Sequence, residues 1–115
     1  MNALITVNDL KERLGLELLA GEGSLDKEVK GCYIGDLLSW VMAKCKENDA
    51  WISVMGNINA IAVATLKDVA CIILAENASL DEDAKKRADK QEIAVLLSSK
   101  NSFELALEIG EILKL

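Results

Sequence analysis

Asp36, Asn57, Asn59, Glu76, Asn77, Ser98, Ser99 and Asn101 stand in short turns, each placed after an apolar segment and ahead of a helical one. Amides, hydroxyls and carboxylates at such positions, backed by the free N–H groups of helix starts, suit an anionic or nucleotide-like ligand. The same residue types also serve turns that have only their own backbone to satisfy, so both uses stay open. For acid–base or nucleophilic catalysis the set is poor. The chain has no histidine, which removes Ser-His-Asp and Cys-His arrangements. A Ser-Lys pair is conceivable through Ser98, Ser99 and Lys100, but these read as loop and helix-start hydrogen-bonding groups. Asp81 and Asp83 sit at an exposed helix start, where carboxylates complement the dipole. No enzyme is expected, and no catalytic residue is assigned.

Cofactor and metal motifs are also missing. None of the seven glycines opens a phosphate loop, which needs a second glycine five positions on and then Lys-Ser or Lys-Thr. Gly21-Glu22-Gly23 lacks the third glycine of a dinucleotide fingerprint and follows a weak strand, so it reads as a tight turn. Cys32, Cys45 and Cys71 are odd in number and widely spaced, and without histidine an ordinary zinc site is excluded. Cys45 and Cys71 read as small core side chains, with Cys32 nearer a loop. No metal and no cofactor are expected.

The elements that must position these turns are legible from periodicity. Thr6, with Asp9 three residues on, caps a helix over Val7–Leu14 that Gly15 stops. Leu16–Leu19 and Val29–Tyr33 read as short strands, with a polar connection over Ser24–Lys30. Asp36 is placed to cap a second helix with Leu37, Leu38, Val41, Met42 and Cys45 on its inner face. Trp51–Met55 is the first buried strand. A helix follows with Asn57 or Asn59 as its cap and a stripe of Ile58, Ile61, Ala62 and Thr65. Ala70–Ala75 is a second buried strand, and Ser79-Leu80-Asp81-Glu82 has the spacing of a capping box for a helix that turns Ala84 and Ala88 inward. Ile93–Leu97 is the third, and Asn101-Ser102-Phe103-Glu104 caps a last helix facing inward through Phe103, Ala106, Leu107, Gly110 and Leu113.

Buried strands separated by single helices of about a dozen residues pair in parallel through crossovers. The expected fold class is α/β, a three-layer α/β/α sandwich with a mostly parallel sheet. The turns above then collect beyond the carboxyl ends of the strands, joined by Gly31–Asp36 if the strand before it has the same polarity.

Composition bounds the rest. The chain has 115 residues, 51% hydrophobic and 28% charged, which fits one compact domain over 1–115. Aromatics are 3%, so the core must be aliphatic. Asp+Glu number 19 against Lys+Arg 13, a formal charge of −6 that repels a nucleic-acid backbone. The densest basic run, Lys85-Lys86-Arg87, is flanked by Glu82, Asp83 and Asp89 and reads as a solvated helix face. No run approaches the roughly 18 apolar residues of a membrane span, since Lys67-Asp68 interrupts the richest stretch. Met1-Asn2-Ala3-Leu4 lacks the layout of a secretory signal, and a cytoplasmic location is expected. Trp40 falls on the outer side of the second helix and Trp51 at a strand start; a tryptophan left exposed would mark an interface.

The run Gly31-Cys32-Tyr33-Ile34-Gly35-Asp36-Leu37-Leu38, then Asp49-Ala50-Trp51-Ile52-Ser53-Val54, then Asn59-Ala60-Ile61-Ala62-Val63-Ala64 resembles the DRTGG domain. The resemblance continues through Ala70–Ala75 and Ile93–Leu97, in pattern and order. It implies a fold similar to the N-terminal domain of HPr kinase/phosphorylase. It also implies a small regulatory or accessory domain, often joined to CBS pairs or to phosphotransacetylase-type enzymes. Stand-alone members are associated with iron-hydrogenase gene clusters, so an enzyme partner and a homodimer are implied as well. The chain departs from the pattern twice. Gly56-Asn57-Ile58 stands where Gly-Asp-Arg is common, and Ala75-Glu76-Asn77 where Thr-Gly-Gly is common. The kinase activity of the HPr enzyme belongs to a P-loop domain, and this sequence has no P-loop.

Overall fold

The computed structural model describes residues 4–115, and Met1-Asn2-Ala3 of the Met1–Leu4 stretch read above lie outside them. In chain order the elements are α1 (Val7–Leu14), β1 (Glu17–Ala20), a 3-10 turn (Glu22–Ser24), β2 (Gly31–Ile34), α2 (Leu38–Lys44), β3 (Asp49–Ser53), α3 (Ile58–Lys67), β4 (Cys71–Leu74), α4 (Glu82–Gln91), β5 (Val95–Leu97) and α5 (Ser102–Leu113). They form one five-stranded sheet in the order β1-β5-β4-β3-β2. Strands β2 to β5 are parallel, and β1 runs antiparallel to β5 at the far edge.

Alternation along the strands divides the core in two. Trp51, Ile72, Leu74 and Val95 meet Val41 of α2, Ala60, Ile61 and Ala64 of α3, and Ala84 and Ala88 of α4 on one face. Ala50, Ile52, Ile73 and Leu96 meet Val7 and Leu10 of α1 and Leu105 and Ile109 of α5 on the other. This is the expected three-layer sandwich. Strands buried on both faces explain why β4 is apolar throughout and β3 is apolar from Ala50 to Ile52. Among the described residues no helix is long and apolar enough to cross a membrane.

The caps at the two ends of the chain form as their spacing predicts. Thr6 Oγ1 accepts the Asp9 amide at 3.1 Å while Asp9 Oδ2 accepts that of Thr6 at 2.8 Å. Gly15, at φ 63°, ends α1 in the left-handed conformation. Asn101 and Glu104 exchange the same pair of bonds at the start of α5.

Other expectations need correction. Asp36 does not cap α2; Leu37 takes that position with no side-chain hydrogen bond, because the Asp36 carboxylate turns toward the end of β3. The Ser79–Glu82 box does not form: Asp81 is the N-cap and makes no side-chain cap bond, and Ser79 is instead packed by its backbone against Gly56. The first buried strand is Asp49–Ser53 rather than Trp51–Met55. Its ladder stops when the Val54 amide goes to Asp36 Oδ1 and the Met55 amide to Ser53 Oγ. Leu16–Leu19 becomes Glu17–Ala20, and Val29–Tyr33 becomes Gly31–Ile34, since the Val29 amide pairs with the Ile5 carbonyl before the sheet begins. Ala70–Ala75 and Ile93–Leu97 shorten to β4 and β5.

Three helix faces are also rotated. In α5 the buried residues are Leu105 and Ile109, while Phe103 and Leu107 are 69% and 58% exposed. In α3 the inner positions are Ala60, Ile61, Val63 and Ala64, with Ala62 and Thr65 outward. Around α2, Val41 and Cys45 are buried but Leu37 and Met42 are exposed. Apolar residues surround much of each helix, so periodicity alone does not select the face that meets the sheet.

Candidate functional site

Because β2, β3, β4 and β5 are parallel, the turns that follow them emerge along one edge of the sheet. The strand-to-helix connections also part company here. The chain leaves β4 for α4 on one face and leaves β5 for α5 on the other. Such a divergence is where open α/β sheets place their ligands. Here the two connections are laced together by backbone: the amides of Glu76 and Asn77 donate to the carbonyls of Lys100 and Ser98, both at 2.9 Å.

All the residues singled out in the sequence lie along this edge, but several are occupied with the backbone around them. Asp36 Oδ1 accepts from Ser53 Oγ at 2.7 Å and from the Val54 amide at 3.0 Å. Asn57 Oδ1 caps α3 through the Ala60 amide at 2.9 Å. Ser98, nearly buried, accepts the Lys100 amide at 3.1 Å, and Asn101 is committed to its capping box. Asn59, Glu76, Asn77 and Ser99 remain exposed with side chains open to solvent. Glu76 and Asn77 adopt consecutive left-handed conformations, φ 55° and 56°.

Of these residues Asn77 lines a concave feature. It borders a groove of about 330 Å³ between β1, β5 and the start of α4. Leu19, Leu97, Ala78 and Leu80 supply apolar walls; Ser79 and Lys85 complete the rim. Lys85 Nζ is 3.2 Å from Asp89, an exposed pair that leaves the ammonium free to exchange partners. Sequence reasoning missed this groove, because it depends on β1 joining the sheet antiparallel beside β5. The available signal was Leu80, the one large apolar residue in the run Asn77–Asp83.

The thiols are chemically quiet. Burial, and then the nearby Asp49 carboxylate, push Cys32 up to about 11 and Cys45 up to about 12. Burial raises Cys71 as well. None is an activated thiolate. Among the described residues no three Cys, Asp or Glu side chains gather as a metal-ligand cluster.

The family model of the DRTGG domain matches residues 9–112. This chain belongs to the DRTGG domain family. Among solved structures it is similar to the CBS and DRTGG domains of the regulatory region of Clostridium perfringens pyrophosphatase, complexed with the activator diadenosine tetraphosphate. The TM-score is 0.71 at 15% identity, with 89% of this chain and 44% of that one covered. This chain therefore spans less than half the length of that neighbour, and the likeness is one of fold. Comparison with curated proteins gives no match.

Positive φ at Glu76 and Asn77 is a conformation that glycine adopts without strain. Lys85, from α4, is the cation that lines the groove.

Proposed function

We propose that this DRTGG domain, residues 1–115 acting as one unit, is a non-catalytic regulatory or accessory module. It binds a small anionic or nucleotide-like ligand at the carboxyl edge of its parallel strands. The observation that carries the reading is the groove beside Asn77. Its apolar walls suit a flat base or similar moiety, and Asn77, Ser79 and Lys85 offer polar and cationic groups at the rim. Asp36, Asn57, Asn59, Glu76, Ser98, Ser99 and Asn101 shape or border the same edge. The nucleotide activator held by the pyrophosphatase regulatory region supports this class of ligand. The likeness to a regulatory region supports an enzyme as partner, and the family resemblance extends this to iron-hydrogenase or energy metabolism. A cytoplasmic location goes with that role.

Calorimetric titration with ATP, diadenosine tetraphosphate and pyrophosphate tests the reading. The nucleotides are expected to bind saturably, and Leu80→Asp, which sets a carboxylate in the groove, to weaken them by about tenfold or more. Silence across the panel, or equal binding by the variant, overturns it.

A second reading is homodimerisation without a small ligand. It is favoured by Trp40, 62% exposed, one helical turn from Leu37 at 61%, with Ile34 and Val54 exposed on the adjoining strand ends. Sedimentation at several concentrations decides it: a strict monomer removes this reading and leaves the first untouched.

A further inference from the structure

Helix α5 is apolar on two sides. Leu105 and Ile109 are buried against the sheet, while Phe103, Leu107 and Gly110 follow one another along the outer side, with Ala106 half-buried beside them. These four positions have the spacing i, i+3, i+4 and i+7 by which one helix presents itself to another. Phe103 is the chain's one phenylalanine, in a sequence 3% aromatic, and the fold sets it in water next to Leu107.

Gly110 is not accounted for by the packing of its own chain. It stands inside a helix, where glycine is less stable than alanine, and a Cβ added there would meet nothing within 4 Å. What a bare backbone position offers is close approach by another chain. One margin of the stripe is acidic. Glu104 and Glu111, seven residues apart, share a side of the helix, and Glu108 lies beyond them. Among the described residues Glu108 pairs with Lys100, and no lysine or arginine lies within pairing distance of Glu104 or Glu111.

That margin selects the occupant. It repels an anionic lipid surface and a nucleic-acid backbone. A second copy packed antiparallel through α5 would align the two acidic margins and set like charges side by side. We propose that the outer side of α5 docks an amphipathic helix of a partner protein. The apolar residues of that helix cover Phe103 and Leu107, its backbone approaches at Gly110, and its lysines or arginines run along Glu104 and Glu111. Because α5 and α4 lie on opposite faces of the sheet, this surface is separate from the groove beside Asn77 and does not depend on it.

The test is calorimetric titration of the full chain with a designed amphipathic peptide of about 18 residues, long enough to be helical, carrying a leucine stripe flanked by lysines. A peptide with the same stripe flanked by glutamates is the control. The lysine peptide is expected to bind saturably and more weakly as salt rises, and the glutamate peptide not to bind. Phe103→Ser is expected to weaken binding about tenfold or more, and Glu111→Lys about threefold. Both positions are exposed, and either variant suffices should the other fold poorly. Gly110→Ala is expected to melt higher than the parent yet bind the peptide less tightly, a pairing that a purely structural glycine would not give. Leu80→Asp, in the groove, is expected to leave peptide binding unchanged. Silence of the lysine peptide, equal binding by the glutamate peptide, or undiminished binding by the α5 variants each overturns the proposal. So does sedimentation showing a dimer that Phe103→Ser abolishes, which would make the occupant a second copy.

Discussion

Ser53 Oγ donates to Asp36 Oδ1 across 2.7 Å, tying the exit of β2 to the exit of β3. Ser53 is 1% exposed and passes the connection on by accepting the Met55 amide at 3.1 Å. The bond therefore ends the β3 ladder and sets the path of the turn into α3. Asp36→Ala leaves the hydroxyl and the Val54 amide without that acceptor. We expect a loss of about 2 kcal/mol, the scale of hydrogen bonds to charged groups. Urea denaturation checks it, and an unchanged midpoint contradicts the assignment.

Gly56 holds the β3–α3 turn against the loop before α4. Its carbonyl accepts the Asp81 amide at 2.8 Å, and a Cβ there would run into the Ser79 carbonyl and come within 2.9 Å of Leu80 Cα. Both obstacles are backbone, so neither side yields easily. Gly56→Ala is expected to cost about 2 kcal/mol or more by overpacking. Because Ser79 and Leu80 line the groove, the same variant is expected to weaken nucleotide binding when examined well below its melting temperature.

Glu76 carries a positive φ that a side chain disfavours. Glu76→Gly relieves that strain, worth roughly 1–2 kcal/mol, against the extra backbone entropy that glycine loses on folding, about 0.5–1 kcal/mol. The net expectation is a variant as stable as the parent or up to about 1 kcal/mol more stable. Asn77→Gly is expected to gain less, since asparagine tolerates this conformation. Thermal melts of both variants check the order.

The buried thiols give a pH dependence of defined sign. Folding raises Cys32 to about 11 and Cys45 to about 12 from a reference of 9.0, so the folded state disfavours their thiolates. The associated stability is present below pH 9 and is lost as the pH rises from there through the folded values. At pH 8 the folded protein is expected to react slowly with a thiol reagent such as Ellman's and rapidly once unfolded in urea. Fast labelling of the native chain contradicts the burial of these groups.

How far the sequence foretold the molecule depends on which forces act locally. The capping pairs Thr6–Asp9 and Asn101–Glu104 are complete within four residues, so spacing alone identifies them. Continuous apolar runs identify β3 and β4 as strands buried on both faces, and the layer architecture follows. Spacing places Asp36 at its nearest helix start, whereas its partner Ser53 lies 17 positions away, a relation that only the parallel pairing of β2 with β3 creates. The faces of α3 and α5 depend on which of several apolar stripes the sheet meets. The groove beside Asn77 depends on β1 adding antiparallel beside β5, and nothing in Glu17–Ala20 announces that partner. Polarity and helix starts mark the turn residues in the sequence, while the backbone roles of Asp36, Asn57, Ser98 and Asn101 depend on partners that the fold supplies.

The central claim is that the carboxyl edge of this DRTGG domain holds a small nucleotide-like ligand beside Asn77. Amide-resolved NMR with diadenosine tetraphosphate and ATP tests it most directly. The account predicts saturable shifts concentrated at Leu19, residues 77–80, Lys85 and Leu97, and their loss in Leu80→Asp. Spectra unmoved by either nucleotide, or moved only at residues remote from that groove, contradict it.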